Sequence, residues 1–156
     1  PNQVWQIDIT YIPMKNGFMY MTAVIDVYSR YIVGWGISNS LESSESLKVV
    51  QEAIKIHGKP EILNSDQGTQ FSCHSYVEYL KKEDIKISMD GKGRCLDNIF
   101  IERFWRTMKY QHIFLNPAKD GLDLYLGIQK WLQKYHNRGH QGIELKKPAE
   151  KYKLAA

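Results

Sequence analysis

The alternation of polar and apolar residues over the first 40 positions predicts three β-strands. Polar Gln6, Asp8 and Thr10 alternate with apolar and aromatic neighbours, and this period of two is typical of a strand with two different faces. Asn16-Gly17 follows the first strand and is a strong hairpin signal. The predicted strands are residues 4–14, 18–27 and 31–38. We expect them to form an antiparallel meander.

Beyond residue 40 the apolar residues recur at intervals of three and four, which predicts helices. The first helix is expected to begin with Ser40 or Ser43 as its N-cap and to end near His57, because Gly58 and Pro60 follow. Further helices are predicted at residues 75–83, 97–112, 122–137 and 146–152, and short strands at 61–64 and 85–89.

This order of elements indicates an α/β fold with one mixed sheet. Strands that are joined through helices usually pair in parallel, whereas the meander is antiparallel. The sequence therefore predicts a mixed five-stranded sheet, three antiparallel strands plus two parallel, flanked by helices. With 156 residues and no linker or repeat, we expect residues 1–156 to form a single domain.

Composition narrows the classes of protein that are possible. Hydrophobic residues make up 43% of the chain, which is typical of a globular domain. No apolar stretch approaches the roughly 18–20 residues of a membrane span, so no membrane partner is expected. Two cysteines, Cys73 and Cys95, are too few for a disulfide framework. A reducing cytoplasm is therefore the expected compartment.

Charge is distributed unevenly along the chain. Residues 1–90 carry 8 Lys and Arg against 11 Asp and Glu, whereas residues 91–156 carry 13 against 6. A basic second half favours a polyanionic partner such as nucleic acid. The alternative is an ordinary solvated surface on two helices.

Three acidic residues stand in unusual sequence contexts. Asp8 lies in the middle of a strand, Asp66 follows a short strand, and Glu102 lies in an otherwise apolar helical segment. Each has an ordinary structural explanation. Asp8 could face solvent at a sheet edge, Asp66 could form an Asx-turn, and Glu102 could pair with Arg106 four residues on. The residues alone do not establish that the three side chains converge.

Carboxylates from separate elements favour magnesium over zinc. Three of them can hold two Mg²⁺ ions that act on the attacking and leaving oxygens of a phosphoryl transfer. Zinc would require clusters of His and Cys. The chain offers only the pair His136 and His140 at a spacing of four, with no HExxH motif. A zinc site is not expected.

Three segments carry a resemblance to a known family. They are WQIDITYI (residues 5–12), NSDQGTQF (64–71) and DNIFIERFW (97–105). These segments resemble the integrase core of DDE transposases. Asp66 and Glu102 are separated by 35 residues, which is the D-35-E pattern, and Lys109 follows Glu102 by seven. The segments YHNRGHQG (135–142) and KPAE (147–150) are similar to the bacterial insertion-sequence branch related to insertion sequence three.

The resemblance implies an RNase H-like fold and a specific chemistry. Asp8, Asp66 and Glu102 would be both the catalytic residues and the ligands of two Mg²⁺ (or Mn²⁺) ions. The implied reaction is DNA strand cleavage at transposon ends, followed by strand transfer through attack of the freed 3′-OH. The partners would be transposon-end and target DNA, with a homo-oligomer as the active complex in the bacterial cytoplasm, associated with the nucleoid. Helix-turn-helix segments normally precede such a core, so we expect this chain to be a fragment.

Basic residues around the three carboxylates are candidates for DNA contacts. At about 100° per residue, Asn98, Arg106 and Lys109 fall within roughly 40° of Glu102 on the same helical stripe. Lys109 is therefore expected on an exposed face, next to the carboxylate, where it can bind phosphate. The other candidates are Lys92 and Arg94 in a glycine-containing loop, and Arg138 and His140 near the end of the 122–137 helix. The alternatives are a solvated charge stripe and plain connecting loops.

Some residues are assigned structural roles. Asp97 is expected to cap the helix that contains Glu102, and Asp26 to end the second strand. The four tryptophans are expected mostly in the core. Two rival functions remain at this point: a structural nuclease of the RNase H or resolvase type, and a DNA-binding module without catalysis.

Overall fold

The computed structural model describes residues 1–90 and 98–153. Its strands are β1 (Val4–Pro13), β2 (Phe18–Asp26), β3 (Ile32–Ser38), β4 (Ile62–Ser65) and β5 (Lys86–Met89). Its α-helices are α1 (Ser43–His57), α2 (Thr69–Ser72), α3 (His74–Lys82), α4 (Ile99–Met108), α5 (Gly121–His136) and α6 (Pro148–Lys153). A π-helical turn spans Lys109–Ile113 and a 3₁₀ turn spans Gln141–Ile143.

The five strands form one mixed sheet in the order β3-β2-β1-β4-β5. β1 pairs antiparallel with β2, and β2 with β3, whereas β1–β4 and β4–β5 are parallel. The predicted mixed five-stranded α/β sheet is confirmed. β1 therefore lies at the centre of the sheet, so the alternative that Asp8 faces solvent on an edge strand is wrong.

The hairpin between β1 and β2 forms where the Asn-Gly pair predicts it. Gly17 has a φ of +79°, a backbone conformation that costs little only for glycine. The Met14 N–H donates to the Gly17 carbonyl at 3.1 Å and closes the turn.

Helix boundaries differ from the predictions in three places. The residue before α1 is Glu42, which makes no side-chain cap, so capping by Ser40 or Ser43 is wrong. Ser40 Oγ instead accepts from the Glu42 N–H, and Ser43 is already helical. The short helix α2 was not predicted. The helix predicted at 97–112 has α geometry only to Met108 and continues as the π-helical turn; the proposed cap, Asp97, lies outside the described residues.

Two hydrophobic layers cover the two faces of the sheet. One contains α4 and α5 and includes Phe104, Trp105 and Trp131. The other contains α1 and α3 and includes Trp5 and Tyr76. Trp5, Trp105 and Trp131 are at most 8% exposed, which confirms the prediction that the tryptophans lie mostly in the core. No helix within the described ranges is both long and apolar enough to cross a membrane.

Asp26 ends β2, as predicted, and is fully buried in the turn to β3. Its Oδ2 accepts hydrogen bonds from the Ser29 N–H at 2.9 Å and from the Ser29 hydroxyl at 2.6 Å. Its Oδ1 accepts from the Asn2 N–H at 2.7 Å. One buried carboxylate therefore joins the β2–β3 turn to the N-terminal segment.

A stack of aromatic rings fixes the end of α5 against β3. The Ile32 N–H donates to His136 Nε2 at 3.1 Å, and the His136 ring stacks on Tyr31 with centroids 3.9 Å apart. The Tyr31 ring also stacks on Tyr152 of α6 at 4.9 Å. Burial, with smaller contributions from His140 and His57, lowers the pKa of His136 to about 4. The imidazole is therefore neutral in the folded protein at pH 7.

This histidine makes stability sensitive to acid. In the unfolded chain a histidine gains its proton near pH 6.5, but the pKa of His136 in the fold is about 4. Because the unfolded state then binds more protons, the free energy of unfolding falls as pH drops from 6.5 towards 4. We expect His136 to remove about 1–2 kcal/mol between pH 7 and pH 5. Urea denaturation at the two pH values measures it.

A matched variant isolates this contribution. Asp8 acts in the opposite direction, because its pKa is raised to about 6 and protonation stabilises the fold as pH falls. His136→Gln keeps an acceptor for the Ile32 N–H but removes the group that titrates. Between pH 7 and pH 5 the free energy of unfolding of the variant should therefore fall by about 1–2 kcal/mol less than that of wild type. An identical pH dependence in the two proteins would show that His136 does not titrate as described.

Candidate active site

Helix α4 lies along the polar face of β1, and three side-chain contacts join them in register. The Ile101 N–H donates to Gln6 Oε1 at 3.1 Å, and Trp105 Nε1 donates to Asp8 Oδ2 at 3.1 Å. Lys109 Nζ donates to Thr10 Oγ1 at 2.6 Å. Four residues of helix and two residues of strand both advance by about 6 Å, so each helical step meets the next polar position of β1.

The parallel pairing of β1 and β4 brings Asp8 and Asp66 together. The last aligned pair is Gln6 with Asn64, and both carboxylates follow two residues later. Neighbouring strands lie about 4.8 Å apart, so this register continues to place Asp8 beside Asp66. Both residues line one cleft of about 270 Å³, at the carboxyl end of β4 and beside the middle of β1. This is the edge at which open α/β sheets build their sites.

Asp8 is held in a partly buried and electrostatically unusual position. Burial raises the pKa of Asp8 to about 6, although hydrogen bonds from the Ile9 backbone and from Trp105 oppose the shift. The nearby charges of Asp66 and Glu102 raise it further. The three carboxylates are thus close enough to repel one another, and a cation between them would relieve that repulsion.

Asp66 lies in a tight turn that exposes its carboxylate. Oδ1 accepts from the Gly68 N–H at 2.7 Å, which is the Asx-turn that the sequence allowed. A Cβ at Gly68 would lie 2.8 Å from that oxygen and 2.6 Å from Gln70 Oε1, so a larger residue would displace the ends of these two side chains. The Asx-turn and a role in metal binding are compatible, because the turn uses one oxygen and leaves the other accessible.

Glu102 is exposed on α4 beside Ile101. Among the described residues no ion pair joins it to Arg106, so the alternative of an ordinary surface salt bridge is not observed. In the described parts of the chain, no three His, Cys, Asp or Glu side chains lie close enough to hold a metal ion together. Asp66 and Glu102 lie near enough to Asp8 to raise its pKa, but the side chains of the three residues do not converge on one point.

The prediction that one helical stripe places Asn98 and Lys109 beside Glu102 is wrong for both residues. Asn98 is 3% exposed, and its Oδ1 accepts from Asn64 Nδ2 at 3.3 Å. Lys109 is half-buried against β1, and burial lowers the pKa of its ammonium group. The reason is that Asn98 and Lys109 continue the face of Ile101 and Trp105, at intervals of three and four residues, and this face contacts the sheet. Arg106 is exposed beside Glu102, as predicted.

A polar network next to the site was missed by the sequence analysis. Asn64 Nδ2 also donates to Asp90 Oδ1 at 3.0 Å, and Gln67 Nε2 donates to the Asp90 carbonyl at 2.8 Å. These bonds join the ends of β4 and β5 to the Asp66 turn. A buried Asn at the end of a short strand was the available signal. Trp105 was likewise assigned only to the core, although it orients Asp8.

The remaining predicted DNA contacts lie in other places. Lys92 and Arg94 fall outside the described residues. Arg138 and His140 lie beyond α5, near Tyr135, and His140 Nε2 is 2.9 Å from the Tyr135 carbonyl oxygen. His140 does not join His136 in a shared site, because His136 Nε2 accepts from the Ile32 N–H.

Two family models match this chain, and their matches together contain the three segments named in the sequence analysis. A model described as "Integrase core domain" matches residues 1–95, and a second model with the same description matches residues 83–148. The two matches together span the strands, the three carboxylates and all of α5.

Curated relatives are transposases of insertion sequences. The chain is 35% identical to the transposase for insertion sequence element IS904 of Lactococcus lactis, over 97% of the chain and 62% of that protein. It is 34% identical to transposase InsF for insertion sequence IS3A of Escherichia coli, over 72% of the chain and 40% of that protein. The chain thus spans about half the length of these relatives.

Solved structures with the same fold are retroviral integrases. The HTLV-2 integrase catalytic core domain, solved in complex with magnesium in a dimeric form, matches with a TM-score of 0.77 at 22% identity, over 97% of both chains. The integrase in the simian T-cell lymphotropic virus intasome matches with a TM-score of 0.83 at 19% identity, over 97% of this chain and 54% of that one. These likenesses confirm the RNase H-like fold.

Proposed function

Because the chain belongs to the integrase core domain family, we propose that it is the catalytic core of an insertion-sequence transposase. The proposed activity is divalent-metal-dependent cleavage of DNA at transposon ends and transfer of the cut strand to target DNA. One observation carries the proposal: Asp8 of β1 and Asp66 at the end of the parallel strand β4 line one cleft, with Glu102 near enough to act on the pKa of Asp8.

The donor set fits a hard divalent cation. Asp8, Asp66 and Glu102 offer only carboxylate oxygens, which Mg²⁺ and Mn²⁺ prefer. The charges of Asp66 and Glu102 help to raise the pKa of Asp8, and cation binding would remove this penalty. We propose that these three residues hold two ions, which supply Lewis-acid activation of the attacking and leaving oxygens when bound.

The protein groups around the carboxylates position them for this role. Trp105 Nε1 and the Ile9 backbone donate to the Asp8 carboxylate and fix it. The Gly68 N–H fixes one Asp66 oxygen, and the second Asp66 oxygen is left for a ligand. Lys109, held by Thr10 against β1, lies near enough to Asp8 to feel its charge, and the exposed Arg106 follows Glu102 by four positions on α4. These cations would bind phosphates of the strand that enters the cleft.

The proposed reaction comprises two phosphoryl transfers. In the first, water attacks a phosphodiester at the transposon end, the P–O3′ bond breaks, and the leaving oxygen takes a proton to become a free 3′-OH. In the second, this hydroxyl loses its proton and attacks a target phosphodiester in line. A new P–O bond forms, the target P–O3′ bond breaks, and the released target 3′ oxygen takes up a proton. No covalent bond to the protein is needed.

We further propose that the active complex is a homo-oligomer, since two DNA ends must be joined to one target. The dimeric form of the HTLV-2 core domain favours this proposal by analogy. The rival of a DNA-binding module without catalysis is disfavoured, because it gives no reason for an Asp8 whose pKa is raised by burial and by the nearby charges of Asp66 and Glu102.

An assay of cutting and joining tests the proposed function. The protein is incubated with a labelled duplex carrying an end of its insertion sequence, with an unlabelled target plasmid, and with Mg²⁺, Mn²⁺ or EDTA. We expect metal-dependent nicking at the end and label transferred to the plasmid. Nicking without transfer would favour the structural nuclease, and DNA binding without either product would contradict the proposal.

A further inference from the structure

A second cleft lies on another flank of α4. It has a volume of about 140 Å³, and its lining includes Arg30, Arg103, Phe100 and Tyr135 but no acidic residue. Arg103 follows Glu102 by one position, so it projects about 100° around the helix from that carboxylate. The cleft is therefore separate from the one that contains Asp8 and Asp66.

Arg30 is held rigidly at one wall of this cleft. It has a φ of +64° in the β2–β3 turn, where its N–H donates to the Asp26 carbonyl at 2.8 Å. Its own carbonyl accepts from the Tyr135 hydroxyl at 3.1 Å. Its guanidinium carbon lies 3.7 Å from the centroid of the Phe100 ring. The side chain is thus positioned before any ligand arrives, which lowers the entropic cost of binding.

The positive charges in this cleft are not neutralised by the described protein. Neither Arg30 nor Arg103 takes part in an ion pair among the described residues. Asp26 attracts Arg30, but its carboxylate already accepts bonds from Ser29 and Asn2. Burial, and to a lesser extent the charge of Arg103, lower the pKa of the half-buried Arg30. A bound anion would offset both the burial of Arg30 and its repulsion by Arg103.

The turn after α5 completes the cleft and adds positive charge around it. His140, Gln141 and Gly142 line its far side. A Cβ built on Gly142 would lie 4.0 Å from Arg30 Nε, so the backbone approaches the guanidinium closely. Arg138 is near enough to act on the pKa of His140, although it is not part of the lining.

We propose that this cleft binds a phosphodiester group of the DNA backbone, with the Arg30 and Arg103 guanidinium groups donating to its oxygens. Two arginines around a small cavity match the several acceptor oxygens of a phosphate, to which arginine donates from a planar fork. The assignment rests on the proposed function, because it takes DNA as the polyanion. It adds a contact on a flank of α4 that Glu102, Arg106 and Lys109 do not occupy.

The salt dependence of DNA binding tests this assignment. Binding of a labelled duplex is measured by fluorescence anisotropy between about 50 and 300 mM salt for wild type, Arg103→Gln and Lys55→Gln. Lys55 is exposed on α1 and provides the same change of charge away from the cleft. We expect Arg103→Gln to lower the magnitude of the slope of log K against log salt by about 0.9, and Lys55→Gln to leave it unchanged. Equal slopes for both variants and wild type would overturn the assignment.

A third variant separates this inference from the proposed function. Arg106→Gln, next to Glu102, should also reduce the slope if DNA crosses the carboxylate cleft. A reduced slope in Arg106→Gln with a wild-type slope in Arg103→Gln would overturn only the second cleft. A wild-type protein that binds no DNA would overturn the proposed function and this inference together.

Chemical protection gives a readout that does not depend on a mutation. Phenylglyoxal modifies accessible arginines, and peptide mass spectrometry reports the rate at Arg103. We expect a saturating DNA duplex to slow this rate several-fold and inorganic phosphate at the same phosphate concentration to have little effect. An unchanged rate in the presence of bound DNA would contradict the proposal, and protection by inorganic phosphate equal to that by DNA would overturn the assignment to DNA.

Discussion

Asp66→Asn should abolish DNA cutting and joining while the melting temperature stays within about 1–2 °C of wild type. Oδ1 of the exposed carboxylate accepts a hydrogen bond from the Gly68 N–H, and an asparagine amide oxygen can accept the same bond. The turn should therefore persist. The loss of one negatively charged metal ligand should reduce the rate of strand cleavage by at least about 1,000-fold, because metal activation is the main source of catalysis proposed here.

Asp84→Asn is the matched control. Asp84 is exposed after α3 and has a φ of +58°, a conformation that asparagine also adopts readily. Asp84→Asn removes one negative charge, as Asp66→Asn does, but far from the cleft. Cleavage of the labelled end should therefore continue at the wild-type rate. Wild-type cutting by the Asp66 variant would contradict a metal-binding role for this residue, and equal loss in both variants would show that net charge alone is responsible.

Asp26→Ala should destabilise the protein by about 3 kcal/mol or more. The carboxylate is fully buried and accepts bonds from two backbone N–H groups and one hydroxyl. Alanine would leave these donors without an acceptor in a site closed to water. Because Arg30 follows in the same turn, the arginine cleft should lose its geometry as well. Urea denaturation at pH 7 measures the change in the free energy of unfolding.

Glu78→Ala provides the comparison for this variant. Glu78 is exposed on α3, and the same truncation should change the free energy of unfolding by no more than about 0.5 kcal/mol. A loss of less than 1 kcal/mol in Asp26→Ala would show that water or nearby polar groups replace the carboxylate, and that the turn does not depend on it.

The sheet could be predicted from the sequence because its signals are local. The alternation around Asp8, the Asn-Gly turn and the helical spacing after residue 40 each describe one element. Connections through helices then required β4 and β5 to run parallel to β1. This arrangement placed Asp66 at a strand end, and Glu102 stood out as an acid in an apolar helical segment. The resemblance to integrase cores added the expectation that the three act together.

The parts that could not be predicted depend on how α4 is set against β1. A helical wheel places Lys109 beside Glu102 on one stripe, but Lys109 begins a π-helical turn and its ammonium group donates to Thr10 of β1. The same setting brings Trp105 to Asp8. Asn98 joins Asn64 across 34 residues of sequence, and no periodicity within one element encodes such a contact.

The measurement that tests the central claim most directly is the effect of divalent metal on thermal stability with and without the three carboxylates. Metal that binds only the folded site stabilises it by mass action, so Mn²⁺ at about ten times its dissociation constant should raise the melting temperature by about 3–5 °C. The rise should be absent in the variant that combines Asp8→Asn, Asp66→Asn and Glu102→Gln. Equal rises in wild type and variant would mean that the cations bind elsewhere, and would contradict the metal site.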